Sequence, residues 1–99
     1  MEPIKRFIDS VTNSNLWTYV LSLAKESEVQ EREVSRLIFE KFGFLPNEFM
    51  VKSVLFRLKK DGYASKERFQ SQNAYKATEK GLKELEAMKS FSADLIQKL

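Results

Sequence analysis

The sequence predicts a mainly α-helical fold with a small β-hairpin and a long C-terminal helix. Apolar residues recur at spacings of three and four residues in five segments, which is the helical period. Two short alternating runs flank the polar stretch QSQN, which is typical of a hairpin. A length of 99 residues, with 42% hydrophobic and 31% charged residues, fits one globular unit with a modest core.

The composition excludes several kinds of chemistry. The chain has no cysteine and no histidine, which removes disulfides, thiolate and imidazole catalysis and the usual zinc sites. Neither a glycine-rich phosphate loop nor a calcium-loop pattern occurs in the sequence. We therefore expect no enzymatic activity, no metal site and no cofactor. The N-terminus lacks a signal-peptide pattern and no apolar run reaches the roughly 18 residues of a membrane span, so we expect a cytoplasmic protein.

Three helical segments precede a break in the pattern at FLPN. They are predicted over 3–11, 16–26 and 31–43, with SEVQ connecting the second to the third. Pro3 suits the first turn of the first helix, and Gly43 suits the C-terminal end of the third. The first helix is a short amphipathic arm, whose apolar stripe consists of Ile4, Phe7, Ile8 and Val11.

The fourth helix, predicted over 48–60, has two different faces. Asn47 can cap its start, and Asp61-Gly62 ends it. At 100° per residue, the face toward the core consists of Val51, Val54, Leu55 and Leu58. The roughly opposite face carries Phe49, Ser53, Phe56 and Lys60, with Lys52 at its flank. Phenylalanine is unexpected on a face that is merely solvated, so this face is a candidate binding surface.

A hairpin and a long helix follow. Strands are predicted over 63–69 and 74–77, residues 70–73 form a polar turn, and Thr78 caps a helix over 79–99. This helix is about 30 Å long, so it extends past a small core. The apolar residues in its distal half must then be buried by another surface. We expect a homodimer whose interface consists of Leu85, Met88, Phe91, Leu95 and Leu99.

Three core helices followed by a β-hairpin form the layout of a winged helix-turn-helix. In that fold the third core helix enters the DNA major groove, and the hairpin reaches the backbone or the minor groove. The charge distribution suits this function, since residues 1–51 carry a net charge of −2 and residues 52–99 carry +5. Charge alone also fits an ordinary solvated surface.

Two segments resemble the PadR-like family of winged-helix transcription regulators. VLFRLKKDGYAS (54–65) contains the family's Leu-x-Arg-Leu-x-x-x-Gly pattern as Leu55, Arg57, Leu58 and Gly62. AYKATEKGLKEL (74–85) resembles its Tyr-x-[Leu/Ile]-Thr-x-x-Gly pattern through Tyr75, Thr78 and Gly81, with Ala77 at the Leu/Ile position. The resemblance implies a dimeric DNA-binding regulator, often a repressor. Residues 1–78 would then form the DNA-binding domain with its N-terminal helix, and residues 79–99 the dimerisation helix.

The DNA-contact residues are predicted from helical geometry and charge. On the helix over 48–60, the residues offered to the major groove are Lys52, Ser53, Phe56 and Lys60, and phenylalanine can contact thymine methyl groups. On the wing over 63–77, the residues offered to the backbone or minor groove are Lys66, Arg68, Gln72 and Asn73. Arg36 is a candidate backbone clamp, or else it pairs with Glu40 at helical spacing.

Two other hypotheses stay open. In the first, the protein is a winged-helix interaction module that binds another protein through Phe49 and Phe56 and does not touch DNA, since exposed aromatic residues are typical interface hot spots. In the second, a small-molecule effector of unknown identity binds near Trp17 at the dimer interface.

Overall fold

The computed structural model describes residues 2–99 as five α-helices and a three-stranded antiparallel sheet. The helices are α1 (Pro3–Val11), α2 (Leu16–Ala24), α3 (Val34–Phe42), α4 (Glu48–Lys60) and α5 (Glu79–Lys98). The strands are β1 (Val29–Gln30), β2 (Ala64–Phe69) and β3 (Gln72–Ala77). This architecture confirms the predicted fold class. Among the described residues, no helix is both long and apolar enough to cross a membrane.

The helices lie where the apolar period predicts them. The bounds of α1 and α4 match the prediction at both ends. In contrast, α2 ends earlier than predicted, at Ala24, and Glu31–Glu33 forms a 3₁₀ turn before α3 rather than its first α-helical turn. The predicted cap of α4 is confirmed, because the side chain of Asn47 accepts a hydrogen bond from the backbone N–H of Met50 at 3.1 Å.

The third strand of the sheet was not predicted. β1 lies within SEVQ, which was expected to be only a connection, and it pairs with β3 to give the strand order β1-β3-β2. Val29 lies opposite Tyr75, and Gln30 lies opposite Ala74. The sequence did not reveal this strand because two residues are too few to show the alternation of apolar and polar side chains that identifies a strand, and because its partner strand is distant in the sequence.

The hairpin turn is shorter than predicted. Only Gln70 and Ser71 form it, and both have a positive φ, of 50° and 64°, as the two central residues of a type I′ turn do. Gln72 and Asn73 belong instead to β3, where Asn73 lies opposite Arg68. The predicted four-residue turn is therefore wrong in its second half.

The core lies where α2, α3, α4 and the first half of α5 meet the sheet. Its most buried large side chains, each at most 2% exposed, are Leu16, Leu21, Ile38, Val51, Leu55 and Leu85. Burying one such side chain contributes about 1.5–3 kcal/mol to folding. Because Val51 and Leu55 are among them, α4 is held on the core by the face that its helical period predicts.

The second half of α5 extends away from this core. Leu85 was predicted in a dimer interface, but its side chain is 2% exposed and packs in the core of its own chain, so that assignment is corrected. Met88 is half-buried and packs against the edge of the core. Beyond it, Phe91, Leu95 and Leu99 are 69%, 49% and 99% exposed. We use the name α5 stripe for Met88, Phe91, Leu95 and Leu99.

α1 is an arm that buries none of its own residues in this chain. Its apolar stripe is exposed, with Phe7 at 57% and Ile4 at 60%. The hydroxyl of Tyr19 donates a hydrogen bond to the carbonyl of Val11 and so ties the end of α1 to α2. The arm therefore presents a second apolar surface without cover.

A small cluster of backbone contacts joins the end of α4 to the start of α5. Thr78 donates a hydrogen bond from Oγ1 to the carbonyl of Gly62 at 2.6 Å, and its backbone N–H donates to the carbonyl of Tyr63 at 3.1 Å. The same Oγ1 accepts from the backbone N–H of Gly81 at 3.1 Å. A Cβ on Gly81 would lie 2.0 Å from the carbonyl oxygen of Tyr63. We call these four residues the α4–α5 joint.

Replacing Gly81 by alanine is expected to destabilise the protein by about 3 kcal/mol, because the added methyl group collides with backbone that cannot yield without moving α5. Thermal unfolding should then begin at a clearly lower temperature, with a shift of roughly 4–8 °C per kcal/mol in a domain of this size.

Gly43→Ala is the matched control for this substitution. Nothing lies within 4 Å of a Cβ at Gly43, so that variant carries only the strain of a φ of +83°, which costs about 1 kcal/mol. Equal losses of stability in the two variants, measured by thermal unfolding, would contradict the close approach at Gly81.

Candidate nucleic-acid interface

α4 turns an aromatic and basic face to solvent. Phe49 is 82% exposed and Phe56 is 66% exposed. Lys52 and Lys60 are also exposed, and Ser53 is half-buried. The predicted division of α4 into a core face and an outer face is therefore confirmed, whereas a contact of the outer face with DNA stays a prediction.

The basic residues of α4 and the wing form no ion pairs within residues 2–99, whereas several of those on α3 and α5 do. Ion pairs with neighbouring carboxylates engage Arg32, Arg36, Lys83, Lys89 and Lys98. Within residues 2–99, no such pair involves Lys52, Lys59, Lys60, Lys66, Arg68 or Lys76. The positive charge of α4 and the wing is thus not neutralised inside the chain, which suits an anionic ligand.

Arg36 adopts the ion-paired alternative that the sequence left open. Its guanidinium contacts Glu33 and lies 2.8 Å from Oε1 of Glu40. The hydrogen bonds that Arg36 donates to the carboxylates of Glu33 and Glu40, together with the charges of those carboxylates, raise the pKa of Arg36 above its ordinary value. Arg36 would have to give up these partners to hold a phosphate, so it is the weakest member of the predicted contact set.

The wing tip and the start of α4 enclose a groove of about 330 Å³. Its lining includes Lys52 on α4, and Gln72 and Asn73 on β3. Three predicted contact residues therefore lie together. Oδ1 of Asn73 is buried and has no hydrogen-bond partner among the described residues. Since buried acceptors are normally hydrogen-bonded, this oxygen can receive a donor in the groove. Glu31 and Glu48 also line the groove, so it is not uniformly positive.

Lys66 and Arg68 share one face of the hairpin. In the register of β2 and β3, Lys66 lies opposite Tyr75 and Arg68 lies opposite Asn73, and cross-strand partners lie on the same face of a sheet. Both basic side chains are exposed. They give the wing positive charge of its own.

The base of the wing is anchored by a buried tyrosine. The hydroxyl of Tyr75 donates to Oε1 of Glu31 at 3.1 Å, in the 3₁₀ turn that precedes α3. Burial, and then the hydrogen bond and charge of Glu31, raise the pKa of Tyr75 to about 12. The hydroxyl therefore stays protonated at neutral pH, and the bond fixes the wing relative to α3.

A second cavity, of about 540 Å³, lies on the other side of α4, between α2 and α5. Its apolar lining includes Trp17, Met50, Leu58 and Phe91. Arg57 lies at this cavity too and donates a hydrogen bond to Oγ of Ser53 at 3.3 Å. An open cleft thus lies beside Trp17, where an effector site was expected at the dimer interface, and the binding of an effector stays a prediction.

Lys59 and Lys76 are further exposed cations that the predicted contact set left out. Lys59 follows Lys52 by seven residues and so lies on the same side of α4. Lys76 lies opposite Ser65 and is exposed on β3. Helical spacing could have identified Lys59, and strand alternation could have identified Lys76.

Apart from the exposed Arg57, the motif residues that carry the family resemblance hold the fold together. Leu55 and Leu58 are buried in the core. Gly62 has a φ of +82°, which glycine adopts without strain. Tyr75 anchors the wing, and Thr78 and Gly81 form the joint. The resemblance therefore predicts the architecture, whereas the identity of the DNA-contact residues stays a prediction.

A helical core, a hairpin beside the outward face of α4 and a long following helix define a winged helix-turn-helix protein. Its structure is similar to that of a transcriptional regulator from Clostridium thermocellum, with a TM-score of 0.78, 26% identity, and coverage of 90% of this chain and 89% of that one. No protein-family model matches the sequence, and no curated protein matches it either.

Two PadR structures also resemble the chain. A PadR-family transcriptional regulator from Eggerthella lenta matches with a TM-score of 0.82 and 17% identity, over 96% of this chain and 87% of that one. Bacillus subtilis PadR, in complex with operator DNA, matches with a TM-score of 0.70 and 17% identity, over 78% of this chain and 48% of that one. The chain thus matches about half the length of Bacillus subtilis PadR. Its fold is PadR-like, as the two sequence motifs indicated.

Proposed function

We propose that the protein is a homodimeric transcription regulator that binds double-stranded DNA. The observation that carries the proposal is the unpaired basic surface formed by α4 and the wing. α4 would enter the major groove, and the wing would contact the backbone or minor groove. The similarity to Bacillus subtilis PadR, which is bound to operator DNA in its structure, supports the same use of the fold.

A second copy of the chain would provide the cover that two apolar surfaces lack. The α5 stripe beyond Met88 and the exposed stripe of α1 both lie outside the core of the single chain. Contiguous exposed apolar surface of this kind marks interaction sites. A symmetric dimer would bury these surfaces on both copies of the chain. It would also place the two copies of α4 about 34 Å apart, which is the spacing of successive major grooves on one side of DNA.

The remaining parts of the proposal follow from this arrangement. Residues 1–78 would bind DNA, and residues 79–99 would dimerise. A dimer that covers two adjacent major grooves would exclude other proteins from that stretch of DNA, so repression is the simplest mode of action. The structural neighbours are transcriptional regulators, which supports the expectation of a non-enzymatic protein. A cytoplasmic location stays a prediction.

Titration of a duplex with the full-length protein at several salt concentrations tests the proposal. If about six phosphates are neutralised, the logarithm of the association constant should fall with the logarithm of the salt concentration with a slope of about −5. Fluorescence anisotropy of a labelled duplex gives the constants. A protein that binds no duplex even at about 50 mM salt would overturn the proposal.

A second candidate function is supported by the exposure of Phe49 and Phe56. A winged-helix module could use these side chains as anchors for a protein partner and leave DNA untouched. The variant with both residues replaced by alanine separates the two functions. If it loses a protein partner and binds duplexes as well as the wild type does, the interaction module is favoured.

A further inference from the structure

The outward face of α4 carries two phenylalanines in line. Phe49 and Phe56 are seven residues apart, which places them within about 20° of each other around the helix and about 10 Å apart along it. Their side chains are 82% and 66% exposed. They therefore form two separate apolar contacts on one line, rather than one continuous patch.

Ser53 lies between the two phenylalanines in the sequence, about 40° from Phe49 and about 60° from Phe56 around the helix. Its hydroxyl oxygen accepts a hydrogen bond from Arg57 at 3.3 Å, so its own hydrogen is available to an acceptor outside the chain. The outer face of α4 thus offers two apolar groups in line, with a hydroxyl group at their flank.

The surroundings of this line are basic. Lys52, Lys59 and Lys60 are exposed on α4, and none is ion-paired within residues 2–99. The exposed, unpaired Lys66 and Arg68 extend the positive charge onto the wing. Apolar contacts flanked by cations on two separate elements match a major groove, where thymine methyl groups lie between two phosphate backbones. A short acidic peptide bound along α4 would need only the cations of that helix and would leave those of the wing unused.

The spacing of the phenylalanines fits the spacing of bases. Successive bases of one strand rise about 3.4 Å along the helix axis of DNA. A separation of about 10 Å between the two rings therefore spans about three base-pair steps. Two thymine methyl groups at that interval could each meet one ring.

We propose that the outer face of α4 selects duplex DNA by two thymine methyl groups about three base pairs apart in each half-site, one contacting Phe49 and the other contacting Phe56. The inference rests on the proposed function and specifies its ligand. The preferred half-sites are therefore rich in T·A pairs, and the selectivity comes from apolar contact rather than from bidentate hydrogen bonds.

The test begins with the selection of bound duplexes from a random-sequence library by the full-length protein. Each enriched thymine is then replaced by deoxyuridine, which removes only the C5 methyl group. Binding should weaken about fourfold at each of two positions, the effect of one buried methyl group. Phe49→Ala should abolish the effect at one position, and Phe56→Ala should abolish it at the other.

Phe39→Ala is the matched control. Phe39 lies on α3 and is 55% exposed, so this variant removes an exposed phenylalanine elsewhere and should keep both methyl effects. All three side chains are mainly exposed, and thermal unfolding verifies that each variant is folded.

The outcomes separate this inference from the function on which it rests. A protein that binds no duplex overturns the proposed function. A protein that binds duplexes without paired thymines, or whose uracil effects are the same in the Phe49 and Phe56 variants as in the wild type, overturns the inference alone. In that case the two phenylalanines are free to serve a protein partner.

Discussion

Replacing Leu95 by glutamate is expected to convert the proposed homodimer to a monomer. Leu95 lies within the α5 stripe and is 49% exposed in the single chain, so the substitution removes no contact from the core. In a two-fold symmetric interface the new carboxylate occurs twice, and burying it without a partner costs several kcal/mol. Sedimentation velocity should show the mass of one chain.

The same variant should bind its operator at least about 100-fold more weakly, because two linked recognition helices gain that much from binding together. Ser90→Glu is the matched control. Ser90 is exposed on the side of α5 opposite the stripe, so the same charge there should leave the dimer intact. A Leu95→Glu protein that sediments as a dimer would remove α5 from the proposed interface.

Replacing Lys52 and Lys60 together by alanine is expected to make the salt dependence of DNA binding shallower by about two, which is one unit for each lost phosphate contact. The affinity at about 0.1 M salt should fall on the order of 50-fold. Each phosphate contact raises the association constant by nearly tenfold for every tenfold decrease in salt concentration below about 1 M, and two contacts are lost. Neither side chain is buried, so the fold should be unaffected.

The matched control for the lysine pair is Lys83→Ala with Lys89→Ala. These residues lie on α5, where they pair with Glu79 and Glu86 at 3.6 and 3.5 Å. Their removal lowers the net charge equally but leaves α4 untouched, so the slope of the salt titration should not change. If both double variants lose affinity equally, then DNA responds only to the net charge, and α4 is not the contact surface.

Most of the fold was predictable because it depends on local spacing. The apolar period of α4 identifies both its core face and its outer face, and Asn47 and Thr78 mark helix starts by side-chain capping that acts over three residues. β1 could not be predicted, because its existence depends on an open edge of β3. The two-residue turn at Gln70 and Ser71 was also missed, since it uses positive φ without glycine.

The candidate site was predictable only in part. Helical geometry placed Lys52, Phe56 and Lys60 outward, but it could not place Asn73 across a groove from Lys52, which depends on the register of β3. Leu85 was assigned to the wrong surface because a continuous apolar stripe does not reveal where the core ends.

The α4–α5 joint has a consequence for the range of operators that the protein could accept. It fixes the angle between the helix that would read DNA and the helix that would pair the two copies. α5 has 20 residues and so extends about 30 Å from the joint. A tilt of about 6° there moves its far end by about 3 Å, close to the rise of one base pair. In the proposed dimer, the tight fit around Gly81 would therefore determine the distance between the two DNA half-sites that the protein binds. A substitution that loosens this fit would allow the protein to bind operators with a wider range of half-site spacings.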